Sequence, residues 1–98
     1  MRERIVERYL REQVKRAGGE IKKLTGRIND PDRLVIWPAK TRYGRAALVF
    51  VECKAPGEKP RPGQVRELAR LDAMGCTALV CDSKEWVDRF VEGWRERD

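Results

Sequence analysis

The chain has 98 residues, 39% of them Asp, Glu, Lys or Arg, and carries a formal net charge of +6. That length predicts one domain over residues 1–98 with a single core, and the positive balance favours an anionic partner. Histidine is absent and Cys53, Cys76 and Cys81 form no CxxC pair, so structural zinc, Ser-His-Asp chemistry and His-based phosphodiesterase mechanisms have no support.

The three cysteines sit in or beside apolar runs and read as reduced core residues, and no segment resembles a membrane span or a signal peptide. A cytoplasmic protein is therefore expected. The charge is uneven: residues 1–62 hold 16 Lys and Arg against 8 Asp and Glu, whereas the remainder holds 6 against 8. The excess cation density lies on the part that carries the residues singled out below, as a nucleic-acid enzyme requires; a general solubility bias explains a basic pI equally well.

From Met1 to about Ala17, apolar residues at Ile5, Val6, Tyr9, Leu10, Val14 and Ala17 predict an amphipathic helix closed by Gly18-Gly19. At about 100° per residue, Glu3 lies closer to the middle of the apolar face than Glu7. Glu3 is thus the better candidate to look inward, towards a metal, although an acid in the first turn is also what the helix dipole favours. Arg2, Arg4, Arg8 and Arg11 either contact phosphates or solvate the outer face. Residues 20–24, with Ile21 and Leu24, predict a short first strand, and Lys22, Lys23 and Arg27 follow as candidate backbone contacts.

Next comes an acidic turn, Asn29-Asp30-Pro31-Asp32, leading into an apolar strand from Leu34 to Trp37 that stops at Pro38. The loop Ala39 to Arg45 mixes Lys, Arg and Tyr and suits a sugar-phosphate surface as well as plain solvent. Ala47, Leu48, Val49, Phe50 and Val51 then predict a central strand that runs without a break into Glu52-Cys53-Lys54. Alternation sends Glu52 and Lys54 to one side, about 7 Å apart, and Cys53 to the other. Ionisable groups at the rim of a core strand lose hydration and need a partner. Antiparallel pairing with the preceding strand would bring Asp32 beside Glu52. Two carboxylates and an ammonium so placed can hold a hard divalent cation such as Mg²⁺, with the lysine positioning or deprotonating an attacking water.

Residues Ala55 to Gly63, with three prolines and two glycines, predict a loop, followed by a helix whose apolar side is Val65, Leu68, Ala69, Leu71 and Met74 and which ends at Gly75. Gln64 falls in its first turn, where an uncharged amide can bond a phosphate oxygen or a metal-bound water, or simply be a polar helix start. Cys76 to Cys81 predicts a last strand, parallel to the Glu52 strand because a helix separates them. Ser83 caps a final helix with Trp86, Val87, Phe90, Val91 and Trp94 on its apolar face, and the two tryptophans either close the core or form a dimer contact. The elements predict an α/β fold, αβββαβα in order, with one mixed sheet flanked by helices.

Pro31-Asp32 followed by Glu52-Cys53-Lys54 is the PD-(D/E)xK pattern of restriction-endonuclease-like nucleases. The longer string, Pro31-Asp32-Arg33-Leu34-Val35, then Phe50-Val51-Glu52-Cys53-Lys54-Ala55-Pro56-Gly57, then Gln64, Leu71 and Gly75, resembles the VRR-NUC (virus-type replication-repair nuclease) family over nearly the whole chain. One departure is Asp30, at a place where the family has glycine before Pro-Asp; it is either an outer acid near the metal or a turn cap.

The resemblance implies a restriction-endonuclease-like fold and Mg²⁺- or Mn²⁺-dependent hydrolysis of DNA. Its implied metal ligands are Glu3, Asp32, Glu52 and the backbone carbonyl of Cys53, with Lys54 acting on water and Gln64 supporting it. It also implies action on branched DNA, including four-way junctions, by a homodimer with no membrane association. The rivals are a basic nucleic-acid-binding module that keeps the fold without cleaving, and a sequence-specific restriction-type nuclease.

Overall fold

In a computed structural model, which describes residues 1–97, three helices flank one four-stranded sheet. The elements are α1 (Glu3–Arg16), β1 (Glu20–Lys23), β2 (Arg33–Trp37), β3 (Ala47–Cys53), α2 (Pro62–Ala73), β4 (Thr77–Cys81) and α3 (Lys84–Glu96). The sheet order is β1-β2-β3-β4, antiparallel except for the β3/β4 pair. The αβββαβα order and the mixed sheet are those expected of the sequence.

Alternation along the strands divides the sheet into two unequal faces. Val35 and Trp37 of β2, Val49, Val51 and Cys53 of β3, and Cys81 of β4 point to one side, where Val6, Leu10 and Val14 of α1 and Val87 and Val91 of α3 complete a buried core. The tryptophans close this core: Trp94 stacks on the buried Trp37 ring at 5.0 Å, Phe90 lies 5.6 Å from it, and Trp86 stacks on Phe90 at 4.9 Å. Aromatic stacking of this kind adds to what burial alone contributes. On the other side, α2 packs mainly against β4. The far end of that face is left open, and Leu48, whose cross-strand partner is Ile36, is 53% exposed.

Helix ends follow local chemistry. Ser83 Oγ accepts from the Trp86 backbone N–H at 3.0 Å, as an N-cap should. After α1, Gly18 takes a positive φ of 89°, which a side chain would resist, and Gly19 then approaches the Trp37 ring so closely that a Cβ there would lie 2.7 Å from two ring carbons. The expected loop from Ala55 to Gly63 is two residues too long, because Pro62 and Gly63 are the first residues of α2. Proline is tolerated in a first helical turn, where its missing N–H has no partner to lose and its φ is already helical. No described helix is long and apolar enough to cross a membrane.

Candidate active site

The β2/β3 register pairs Arg33 with Val51, so the residues one step outward, Asp32 and Glu52, meet at the sheet rim. Asp32 has left the ladder, and its Oδ2 accepts the Cys53 backbone N–H at 3.0 Å, which pins its carboxylate to the end of β3. The Lys54 backbone N–H donates to the Cys81 carbonyl at 2.8 Å, extending the β3/β4 pairing one residue beyond Cys53. The first turn of α1 arrives over the same rim. One carboxylate oxygen each from Glu3, Asp32 and Glu52 lie within 4.8 Å of one another.

Glu52 is the most constrained member, with 2% of its surface exposed. Its Oε2 accepts from Gln64 Nε2 at 2.9 Å and lies 3.6 Å from Lys54 Nζ. Its Oε1 is buried and has no hydrogen-bond partner among the described residues. Burial, with the Asp32 charge second, pushes the Glu52 carboxyl up to about 7. Glu3 is also raised, by partial burial first and then by Asp32. Glu3 and Glu52, crowded beside Asp32 in this way, resist ionising until a cation arrives.

Gln64 reaches the site through its helix position. Its Oε1 accepts the Arg61 backbone N–H at 2.8 Å, closing the first turn of α2, and this leaves its NH₂ to face Glu52. An amide supplies an acceptor and a donor at once, which no charged side chain of similar length does. The turn before Asp32 packs on this helix start. A Cβ at Gly63 would stand 2.6 to 2.8 Å from the Asn29 side chain, so glycine permits the approach.

The structure brings together Glu3, Asp32, Glu52, Lys54 and Gln64, and it separates Glu3 from Glu7. Glu7 instead pairs with the guanidinium of Arg33, the residue after Asp32, on the opposite face of the sheet. Asp30 is a turn cap: its Oδ2 accepts from the Arg27 backbone N–H at 2.7 Å. Cys53 contributes its backbone at the rim, while its side chain lies in the core against Cys81, whose contact, together with burial, raises the Cys53 thiol far above its ordinary range. Such a thiol is unreactive. Arg33 and Asn29 were given no role by the sequence pattern; the one signal was their place in the Asn29-to-Val35 stretch around Pro31-Asp32.

Two known proteins are similar to this chain over most of its length. A protein of Acyrthosiphon pisum secondary endosymbiont phage 1, named "Putative nuclease p44", is 45% identical over 87 residues, which is 87% of either chain. A solved structure described as a VRR_NUC domain superposes with a TM-score of 0.77 at 35% identity, over 94% of this chain and 96% of its own. The chain belongs to the VRR-NUC family. None of the family models searched matches it. The VRR-NUC assignment carries with it a compact α/β nuclease fold, and the acidic trio at the sheet rim is a set of ligand atoms close enough together to hold a metal ion.

Proposed function

We propose that this VRR-NUC protein hydrolyses phosphodiester bonds of DNA with the help of Mg²⁺ or Mn²⁺. The observation that carries the reading is the orphaned Glu52 Oε1, buried in a trio of carboxylates without a hydrogen-bond partner among the described residues. A buried acceptor without a partner costs about 1–3 kcal/mol or more when charged, so a permanent orphan is unexpected unless a ligand completes it. The donor set fits a hard cation. Mg²⁺ binds oxygens at about 2 Å, so its ligands stand about 3 Å apart on neighbouring vertices and about 4 Å apart across the octahedron; the trio's oxygens, all within 4.8 Å of one another, are near enough to converge on one ion.

Glu3, Asp32, Glu52 and the Cys53 carbonyl would hold the ion. The bound ion supplies charge neutralisation at the phosphate and a more acidic water. The protein's own groups do the rest. Gln64 and Lys54 occupy the Oε2 side of Glu52, so Oε1 is the oxygen that would bind the ion. The Cys53 N–H holds Asp32 in one rotamer. Lys54 orients or activates the water that attacks phosphorus. A P–O ester bond then breaks, and the leaving oxygen takes up a proton.

Branched DNA, including four-way junctions, is the proposed substrate, and a homodimer the proposed assembly, because two symmetric sites can address two strands. The support is the open sheet face around Leu48 and Ile36, an apolar area that a second copy would cover. The deciding experiment incubates the purified protein with labelled single-stranded, duplex, flap and four-way DNAs, with and without Mg²⁺ or Mn²⁺. Metal-dependent nicking of the branched forms, abolished by Glu52→Ala and by Lys54→Ala, is expected. Binding without cleavage in either metal would leave a non-enzymatic binding module, and cleavage at one short linear sequence would indicate a restriction-type enzyme.

A further inference from the structure

The outer side of α1 carries more cation than the fold uses. Arg4, Arg8 and Arg11 fall within about 60° on the helical wheel and flank the buried stripe of Val6, Leu10 and Val14. None of the three makes an ion pair with a described residue, and the acid in their midst, Glu7, is taken by Arg33. With Ile5 and Glu7 they line a surface cavity of about 380 Å³. Arg11 Nε is buried and has no acceptor among the described residues, as is Arg33 Nε on the neighbouring strand. A buried Arg11 donor without an acceptor, in a cavity also lined by the Arg4 and Arg8 guanidinium groups, is the converse of the Glu52 orphan: it lacks an anion.

We infer that Arg4, Arg8 and Arg11 seat the sugar-phosphate backbone of the substrate strand to one side of the scissile bond. The inference rests on the nuclease reading above and specifies where its substrate lies. Glu3 belongs to the acidic trio and Arg4 follows it directly, so one helix carries both the cut and the grip. Arg4 to Arg11 spans about 10 Å along the axis, the length over which one strand of a duplex presents about three successive phosphates. Arginine suits this task because its fork matches phosphate oxygens in pairs. Contacts of this kind hold position and register without reading sequence, as an enzyme selective for DNA shape requires.

The test measures binding of a labelled four-way junction and of its linear duplex arm in EDTA, so that no bond is cut, across a range of salt. Arg4→Gln/Arg8→Gln/Arg11→Gln should weaken binding at least tenfold at low salt and flatten the dependence of log affinity on log salt by about 0.9 for each arginine. Arg95→Gln, which removes one like charge from α3, should leave both within twofold, whereas each single Arg→Gln change on α1 should lower the slope by about 0.9. At saturating DNA with metal present, the triple variant should retain kcat within about threefold while KM rises. Should Arg11→Gln disturb folding, seen in the melting curve, Arg4→Gln/Arg8→Gln at exposed positions replaces it. An unchanged salt slope, or a fall in kcat with KM constant, overturns the inference. If the wild type cuts nothing in any metal, the nuclease reading fails, yet the EDTA titration still decides the arginine track.

Discussion

Glu52 is a carboxylate that the fold buries before any cation reaches it, and its raised pKa makes that tension measurable. Between its ordinary value of 4.5 and about 7 the folded chain holds a proton that the unfolded chain has released. The unfolded state then binds fewer protons, so the stability of metal-free protein falls as pH rises through that window. Glu52→Gln removes the titration. Urea unfolding of metal-free protein at pH 5 and pH 8 should show the variant gaining relative to wild type at pH 8, by at most about 3 kcal/mol. The same proton must leave for a cation to bind, so Mn²⁺ affinity measured by calorimetry should rise with pH up to about 7. Gln64→Glu probes the neighbouring constraint. It keeps an acceptor for the Arg61 N–H but sets a carboxylate against Glu52 in place of a donor. Nicking should drop about 10- to 100-fold, as for other groups that orient a metal ligand, with the melting temperature lowered only slightly.

At the scale of elements, the site depends on how α1 is delivered to the sheet. The turn after α1 is tight because Gly19 touches both the Trp37 ring and Val14, where a Cβ would come within 2.9 Å of Val14 Cγ1. Neither neighbour is free to retreat, since both are buried in the core. Gly19→Ala should therefore cost about 1–3 kcal/mol, read as a lowered midpoint in chemical unfolding, and a shift of α1 would carry Glu3 away from Asp32. Most elements were legible in the chain because their apolar periodicity is strong: the run from Ala47 to Val51 and the helix face of Trp86, Val87, Phe90, Val91 and Trp94 leave little choice. The start of α2 was less so. Pro62 and Gly63 read as loop from composition, and only their place at the first turn, capped through Gln64, makes them helical.

At the scale of the whole molecule, the two sheet faces have different tasks. One is filled by α1 and α3, whose contact is reinforced by the Tyr9 hydroxyl donating to Asp88 at 2.6 Å, while Lys40 from the loop after β2 donates to the Trp94 and Arg97 carbonyls at the end of α3. The other holds Glu52, Lys54 and Gln64, the candidate site, at one end and an uncovered apolar patch around Leu48 at the other. If that patch joins two copies, sedimentation should give about twice the 11.4 kDa chain mass. Leu48→Asp should then return it to the monomer and impair cutting of four-way junctions more than nicking of simple duplex.

The chain by itself determined the strands, their order, and the convergence of Asp32 and Glu52. Alternation and antiparallel pairing are local rules that place a residue from its neighbours alone. It also singled out Glu3 over Glu7, because helical periodicity puts Glu3 nearer the apolar face. Only the tertiary structure decided that Glu7 is held by Arg33, that Asp30 caps a turn, that Gln64 grips Glu52, and that Arg4, Arg8 and Arg11 meet no acid among the described residues. Each of those is a pairing between charged or polar side chains, several from elements distant in sequence. Charge carries no periodicity that says which partner it will meet; that is settled when packing brings the elements together and buries the groups that must then be satisfied.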